Sequence, residues 1–221
     1  MKIKLAIFFN NHRGLEVYKK ISKFYKTDVY LTKKNLNHEV KKILDKKKIK
    51  FKIINKIDNK NYLFIKKKKY YLLIVAGWPL IFNEKIINAS FKGTINLHAG
   101  KLPDYRGGSP VNWQIIRGES YIYINIIKMV KKIDAGPIYE KKKIKICKND
   151  NVGKIHNKIN KIFPNLTLKV ISKIKNNFSP LKQRNKNVRY FKQRRDADGL
   201  IKWNNMSSKE VFNFVRAISK P

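Results

Sequence analysis

The feature that most constrains the fold is an uninterrupted apolar run at residues 70–76, with the sequence YYLLIVA. Gly77, Trp78 and Pro79 end the run at once. A strand with one solvated face alternates polar and apolar residues, whereas a parallel strand covered on both faces is apolar throughout. The run therefore predicts a parallel strand at the centre of an α/β domain.

Segments before this run alternate between strand-like and helix-like patterns. Residues 3–9 are apolar and β-prone, and apolar positions recur at helical spacing in residues 15–25. Residues 28–31 and 51–54 resemble further strands, and Asn37 is expected to cap a helix between them. This alternation predicts an α/β, Rossmann-like fold with a mostly parallel sheet flanked by helices.

The second half of the chain continues this pattern. Helices are predicted over residues 80–89 and 111–118, and strands over residues 93–98, 121–130 and 138–146. The last of these strands alternates Lys and Ile, which is typical of an edge strand or of an antiparallel partner with one solvated face.

A long helix is predicted over residues 152–176, with Asn149 or Asp150 as its cap. Pro164 lies inside this segment and is expected to break or kink the helix.

An irregular, turn-rich segment follows, and Ser207 begins a capping box for a final helix. We expect residues 1–177 to form the main domain and residues 178–221 to form a short C-terminal extension that ends in a helix.

The chain has a net charge of +38, which normally indicates nucleic acid or an acidic surface as a partner. However, only eight of its 52 basic residues are arginine, the residue preferred for bidentate phosphate contacts. A codon bias that spreads lysine over every solvated face is the alternative interpretation. In either case the charge favours an anionic substrate by steering.

A cytoplasmic protein is expected. The single Cys147 excludes an intramolecular disulfide framework and suits a reducing compartment. No apolar run reaches the roughly 18–20 residues that span a bilayer. The N-terminal segment lacks the small-residue cleavage site of a signal peptide. No membrane partner and no metal are expected.

The candidate chemistry lies at the end of the strand predicted over residues 93–98. Asn96 and His98 are two positions apart, so their side chains share one face of that strand. If the strand that precedes Asp134 lies beside it, a carboxylate reaches the imidazole and favours its protonated form. An amide donor, a His and an Asp can promote attack on a carbonyl and hold the resulting oxyanion. From the residues alone, a polar strand end and a turn shaped by Asp134 are the alternative.

Three blocks of the chain resemble the folate-dependent formyltransferase family. That family includes methionyl-tRNA formyltransferase, glycinamide ribonucleotide formyltransferase and the sugar N-formyltransferases. Its hallmark is an Asn, a His and an Asp in this order, with Leu-Pro-x-Tyr-Arg-Gly after the His. The matching blocks are residues 96–98 (NLH), 102–110 (LPDYRGGSP) and 134–138 (DAGPI). The resemblance extends over nearly the whole chain and implies the formyltransferase fold for its catalytic domain.

The resemblance implies a role for each of three residues in transfer of a formyl group from 10-formyltetrahydrofolate to an amine. Asn96 stabilises the oxyanion, His98 handles the proton, and Asp134 orients and charges His98. Residues of the pterin pocket act largely through backbone groups, although Trp78 could equally be a core aromatic residue. The residues implied to line this pocket are Trp78, Leu80, Ile81, Phe82, Gly108, Val130, Lys131, Lys132, Ile133 and Asp134.

Three features favour a nucleotide-linked amino sugar as the acceptor. Residues 110–113 and 129–136 resemble the formyltransferase domain of the bacterial enzyme that modifies a UDP-linked aminoarabinose. Residues 194–203 resemble a block of the sugar formyltransferases, and the chain stops at Pro221, before the separate C-terminal domain of the tRNA enzymes. The implied context is lipopolysaccharide or glycan biosynthesis.

Two alternative functions stay open. Methionyl-tRNA is the alternative acceptor, which the net charge supports, and tRNA is an expected partner only in that case. A non-catalytic nucleotide- or RNA-binding module on the same fold is more remote, because such a module need not retain all three catalytic residues. The resemblance also leaves open a homodimer and, because relatives continue beyond the last helix, a shortened gene.

Substrate contacts are expected from two loops. His12 and Arg13 follow the first strand and are candidates for contact with sugar or phosphate, with a plain polar turn as the alternative. Tyr105 and Arg106 are candidates in the loop after His98. That loop departs from many relatives at Gly100 and Lys101, where those relatives have Ser and Leu.

Overall fold

The computed structural model describes residues 3–184 and 186–219. Residues 1–2, 185 and 220–221 lie outside the described residues, and with them parts of the predicted domain and of its C-terminal extension. The elements in chain order are β1 Lys4–Phe8, α1 His12–Ile21, β2 Lys26–Leu31, α2 His38–Lys46, β3 Phe51–Ile53, α3 Asn59–Lys67, β4 Leu72–Val75, α4 Glu84–Ile87, β5 Thr94–His98, β6 Arg106–Gly107, α5 Pro110–Ile116, β7 Tyr121–Lys128, β8 Ile138–Lys145, α6 Val152–Lys175, β9 Tyr190–Phe191 and α7 Ser208–Ile218.

A seven-stranded sheet in the order β3-β2-β1-β4-β5-β7-β8 forms the centre of the molecule. The first five strands in this order pair in parallel, whereas β7 pairs antiparallel with both β5 and β8. The prediction of a Rossmann-like, mostly parallel sheet flanked by helices, with a C-terminal extension that ends in a helix, is therefore confirmed.

The apolar run in β4 serves two cores because the sheet is covered on both faces. Leu72 and Ile74 pack into a core beneath α1, α2 and α6. Leu73 and Val75 pack into a second core beneath α3 and α4. Each side chain of this strand is buried, which explains why the run contains no polar residue.

Two helices between β3 and β5 differ from the prediction. Helix α3 was not predicted, and its sequence is a weak signal because Ile65 is its only buried residue. Helix α4 begins at Glu84 instead of residue 80, since the Asn83 side chain accepts a hydrogen bond from the Ile86 N–H at 3.0 Å and caps the helix there. The residues before Asn83 form a loop that carries Phe82 into the second core.

Helix α6 is continuous across Pro164, so the chain does not leave the helix there and the predicted break is wrong. A proline removes one backbone hydrogen bond, and the apolar face that α6 buries against the sheet outweighs that loss. The cap is Asn151, whose side chain accepts from the Lys154 N–H at 2.9 Å, instead of the predicted Asn149 or Asp150. Within the described ranges, no helix is both long enough and apolar enough to cross a bilayer.

The C-terminal extension is attached to the main sheet and to the loop after β5. Leu181 forms an antiparallel bridge with Ile138 at the start of β8. Strand β9 pairs in parallel with β6, in the loop that follows His98. Helix α7 then packs against α5, and its capping box at Ser207 is as predicted.

Gly14 allows helix α1 to lie directly against the end of strand β1. A Cβ atom at Gly14 would lie 2.0 Å from the Cβ atom of Phe9, which is fully buried. The substitution Gly14→Ala is therefore expected to lower the free energy of unfolding by about 1–3 kcal/mol in urea titrations. Gly199→Ala is the control, because no atom of the described residues lies within 4 Å of the position of a Cβ atom at Gly199. Equal urea midpoints for the two variants would contradict this packing.

Candidate active site

Strand β5 presents Asn96 and His98 on the same face of the sheet, as expected for residues two apart. Their neighbours Ile95 and Leu97 point to the opposite face and belong to the core beneath α1 and α6. The loop that joins β7 to β8 brings Asp134 to both polar side chains. The structure thus brings together the three residues that were predicted to be catalytic.

The carboxylate of Asp134 is the common partner of this group. Its Oδ1 atom accepts a hydrogen bond from Asn96 Nδ2 at 3.2 Å. Its Oδ2 atom accepts from the Gly107 backbone N–H at 2.9 Å and lies 3.4 Å from His98 Nδ1. The His98 side chain is 5% exposed and that of Asp134 is 10% exposed, so the interactions form away from bulk water.

The contact made by His98 Nε2 indicates which ring nitrogen carries a hydrogen. His98 Nε2 lies 2.6 Å from the backbone carbonyl oxygen of Tyr105. A carbonyl oxygen only accepts, so the hydrogen-bond network assigns the hydrogen to Nε2. His98 Nδ1 is consequently the nitrogen that can exchange a proton on the side of Asp134.

Gly100 makes room for this histidine contact. A Cβ atom there would lie 2.4 Å from both His98 Nε2 and the Tyr105 carbonyl oxygen. The Gly100 carbonyl is itself held by the buried Asn125, whose Nδ2 donates to it at 2.6 Å. The sequence did not indicate this role, because the contact joins a side chain to the backbone of a residue seven positions away.

Tyr105 and Arg106 do not lie where a substrate could reach their side chains, contrary to the expectation. Tyr105 is fully buried, stacks on Phe191 at a centroid distance of 4.8 Å and donates to Glu119 at 2.8 Å. Burial, together with the bond to Glu119, raises the pKa of the Tyr105 phenol. Arg106 is 2% exposed, and its guanidinium donates to Gln183 and to the Tyr190 hydroxyl.

The predicted pterin-binding segments lie beside the second core. The Trp78 ring contacts the rings of Phe8 and Phe82 edge to face, at centroid distances of 5.5 Å and 6.3 Å. Lys131 Nζ lies 3.5 Å from Glu84 Oε2, at the start of α4, and thereby links the loop after β7 to the segment after β4.

These two segments expose apolar side chains that a folded protein normally buries. Ile81 is 73% exposed, Ile133 is 45% exposed and Val130 is 37% exposed. The buried Nε1 atom of Trp78 has no hydrogen-bond partner among the described residues. An apolar surface with an unused indole N–H suits a flat heteroaromatic ring with polar edges, so these residues fit a folate. Leu80, Lys132 and Asp134 belong to the same two segments.

Gly108 differs from the other predicted pterin-binding residues in its surroundings. A Cβ atom at Gly108 would lie 2.4 Å from the Cα atom of Gln193, and one at Gly107 would lie 2.2 Å from the carbonyl oxygen of Phe191. The glycines after Arg106 therefore allow the C-terminal extension to pack closely against the catalytic loop.

Arg13 provides a positive charge near the end of β5. Its Nη1 atom donates to the Leu97 carbonyl and its Nη2 atom to His156 Nδ1, both at 3.5 Å. In the part of the chain that the structure describes, Arg13 has no carboxylate partner within 4.0 Å. Burial lowers the pKa of Arg13 to about 10, which leaves it charged at neutral pH. His12, next to it, lies 3.1 Å from Glu39 Oε2 instead.

The chain belongs to the formyl transferase family, whose model matches residues 11–171. Those residues include β5, the loop after it and the turn at Asp134, so the family assignment covers all three polar residues described above.

Two curated relatives extend this assignment. The chain is 37% identical over 149 residues to the methionyl-tRNA formyltransferase of Staphylococcus epidermidis, covering 67% of this chain and 48% of that protein. It is 32% identical over 208 residues to the bifunctional polymyxin resistance protein ArnA of Wigglesworthia glossinidia brevipalpis, covering 92% of this chain and 31% of that protein. The chain thus spans half or less of the length of these relatives.

A solved structure shares the fold. The N-formyltransferase of Helicobacter canadensis, in complex with folinic acid and dTDP-3-aminofucose, superimposes with a TM-score of 0.73 at 20% identity. The match covers 98% of this chain and 80% of that one.

His156 is expected to make stability depend on pH. Burial, with a contribution from the Arg13 charge, lowers the pKa of this imidazole from 6.5 to about 4. Between these values the unfolded chain binds more protons than the folded chain, so the free energy of unfolding falls as the pH falls through this window.

Urea titrations from pH 7 to pH 4.5 should show a weaker pH dependence for His156→Gln than for the wild type. His38→Gln, at an exposed histidine, should retain the wild-type dependence. An unchanged slope in His156→Gln would contradict the assignment.

Proposed function

We propose that this protein transfers the formyl group of 10-formyltetrahydrofolate to the amine of a nucleotide-linked amino sugar. The observation that carries the proposal is the convergence of Asn96 and His98 on the Asp134 carboxylate, next to segments that expose apolar side chains. We further propose that residues 1–177 form the catalytic domain and that residues 178–221 are an extension which supports it.

Each of the three polar side chains has an unused capacity that suits acyl transfer. The Asn96 amide uses one N–H on Asp134, which leaves its second N–H to stabilise a developing oxyanion. His98 Nδ1 can take up the proton that an attacking amine must release. Asp134 then faces the positively charged imidazole at 3.4 Å and stabilises that charge.

The exposed apolar side chains near Asp134 are suited to the formyl donor. When bound, 10-formyltetrahydrofolate supplies a carbonyl carbon that an amine can attack. Ile81, Val130 and Ile133 would cover its pterin ring, and Trp78 Nε1 would donate to a polar edge of that ring. A donor packed closely against these side chains would exclude water, which competes with the amine for the formyl group.

The acceptor is expected to carry negative charge. Arg13 is partly buried and has no ion-pair partner in the described ranges, and its buried Nε atom has no hydrogen-bond partner there. A ligand that carries negative charge would compensate such a guanidinium. A phosphate of a nucleotide-linked sugar would supply that compensation. The dTDP-3-aminofucose in the complex of the Helicobacter canadensis protein is of this chemical class, which supports the choice.

Methionyl-tRNA is the second candidate acceptor. The 37% identity to the Staphylococcus epidermidis enzyme and the net charge of +38 favour it. Binding of tRNA would be strongly salt-dependent, because each neutralised phosphate releases counterions.

His98→Ala and Asp134→Ala are each expected to lower kcat/KM for formyl transfer by about 100- to 10,000-fold, because His98 handles the transferred proton and Asp134 stabilises the imidazolium that results. Formylated product is quantified by mass spectrometry, and circular dichroism checks that the variants are folded. His38→Ala, at an exposed histidine on α2, is the matched control and should keep the wild-type rate. A wild-type rate in either site variant would contradict the proposed chemistry.

The choice of acceptor is tested by offering one donor to several amines. We expect 10-formyltetrahydrofolate to formylate at least one member of a panel of nucleotide-linked 3-amino and 4-amino sugars. The same assay contains methionyl-tRNA at low and high salt. Formylation of methionyl-tRNA alone, with a steep loss of binding at high salt, would replace the first candidate with the second.

A further inference from the structure

Gln183, in the C-terminal extension, uses all of its hydrogen-bonding capacity in one place. Its Nε2 atom donates to the backbone carbonyl of Asp134 at 2.8 Å and to that of Gly136 at 2.7 Å. Its Oε1 atom accepts from Arg106 Nη2 at 2.8 Å and from Arg106 Nε at 3.2 Å. An amide side chain has two N–H groups and two acceptor positions, so none remains for water or substrate.

The turn that Gln183 contacts has a strained backbone. Asp134 adopts a φ of 50°, a left-handed conformation that costs energy in a residue with a side chain. Two residues further on, a Cβ atom at Gly136 would lie 1.7 Å from the Lys128 carbonyl oxygen. The left-handed conformation of Asp134 persists only when surrounding residues stabilise it. The Gln183 amide does so by donating to the carbonyls of Asp134 and Gly136, on either side of Ala135.

Arg106 extends this contact into a closed ring of interactions. The residue after it, Gly107, donates its backbone N–H to Asp134 Oδ2 at 2.9 Å. The Asp134 carboxylate is thus held by Gly107, and the Asp134 carbonyl is held by Gln183, which in turn binds Arg106. Among the described residues Arg106 has no carboxylate partner, and the neutral Gln183 oxygen accepts two of its buried N–H groups. The orientation of the Asp134 side chain therefore depends both on the Gly107 N–H and on the Gln183 amide.

We infer that Gln183 is a positioning residue for Asp134 in formyl transfer, an inference that rests on the function proposed above. It does not touch the reacting groups. By fixing the backbone of the turn, it sets the distance between the carboxylate and His98. A displacement of that carboxylate slows the chemical step and leaves the binding surfaces for donor and acceptor in place.

Gln183→Glu is the decisive variant because it keeps the acceptor for Arg106 and removes the donor to the two carbonyls. A carboxylate still accepts from Arg106, so the buried guanidinium keeps a partner, but it offers no N–H to the two carbonyls. Gln193→Glu is the matched control, since it makes the same chemical change at an exposed residue of the same extension. Denaturant midpoints within error of the control would show that Gln183→Glu folds normally, and Gln183→Asn provides a neutral variant if it does not.

Relative to the control, Gln183→Glu is expected to lower kcat by about 10- to 100-fold, with KM for donor and acceptor within about twofold. Hydrogen–deuterium exchange of peptides covering residues 129–138 should be faster than in the control. A kcat equal to that of Gln193→Glu would overturn the inference.

Hydrogen–deuterium exchange distinguishes failure of the proposed function from failure of the inference about Gln183. If the wild type formylates no acceptor, the proposed function fails and the exchange of the turn alone decides the role of Gln183. Faster exchange in Gln183→Glu would then support positioning, and exchange equal to that in Gln193→Glu would overturn it.

Discussion

The interaction on which the site depends is the set of contacts made by the Asp134 carboxylate. It accepts from a strand side chain, Asn96, and from a loop N–H, that of Gly107, while it faces the His98 ring. Three segments that are distant in sequence are therefore held against one group with little access to water. In such surroundings an unpaired carboxylate would be costly, so the site forms only when all three segments are in place.

The sheet provides the frame for these contacts. Within the seven-stranded sheet, β5 is the last strand of the parallel part, and its antiparallel neighbour β7 leads directly into the turn that carries Asp134. Three glycines then permit close backbone approaches: Gly100 beneath the His98 ring, Gly107 against β9, and Gly136 against the end of β7. The C-terminal extension completes the frame through Gln183, so it belongs structurally to the site.

Much of this arrangement can be predicted from the sequence. The twofold periodicity of strands predicts that Asn96 and His98 share a face, and the apolar run at residues 70–76 predicts a sheet covered on both sides. Other parts cannot be predicted in this way, because backbone groups leave no mark in the choice of side chain. The Tyr105 carbonyl and the Gly107 N–H belong to this class. Gln183 acts across 49 positions of sequence, and no local pattern connects it to Asp134.

Nitrogen-15 NMR of the His98 imidazole tests the central claim most directly, with His98→Gln used to assign the signals. A proton on Nε2 is predicted, because that nitrogen donates to the Tyr105 carbonyl. The Nδ1 signal should shift in Asp134→Asn, because this nitrogen faces the carboxylate at 3.4 Å. An unprotonated Nε2 in the wild type, or an Nδ1 signal unchanged by Asp134→Asn, would contradict the account.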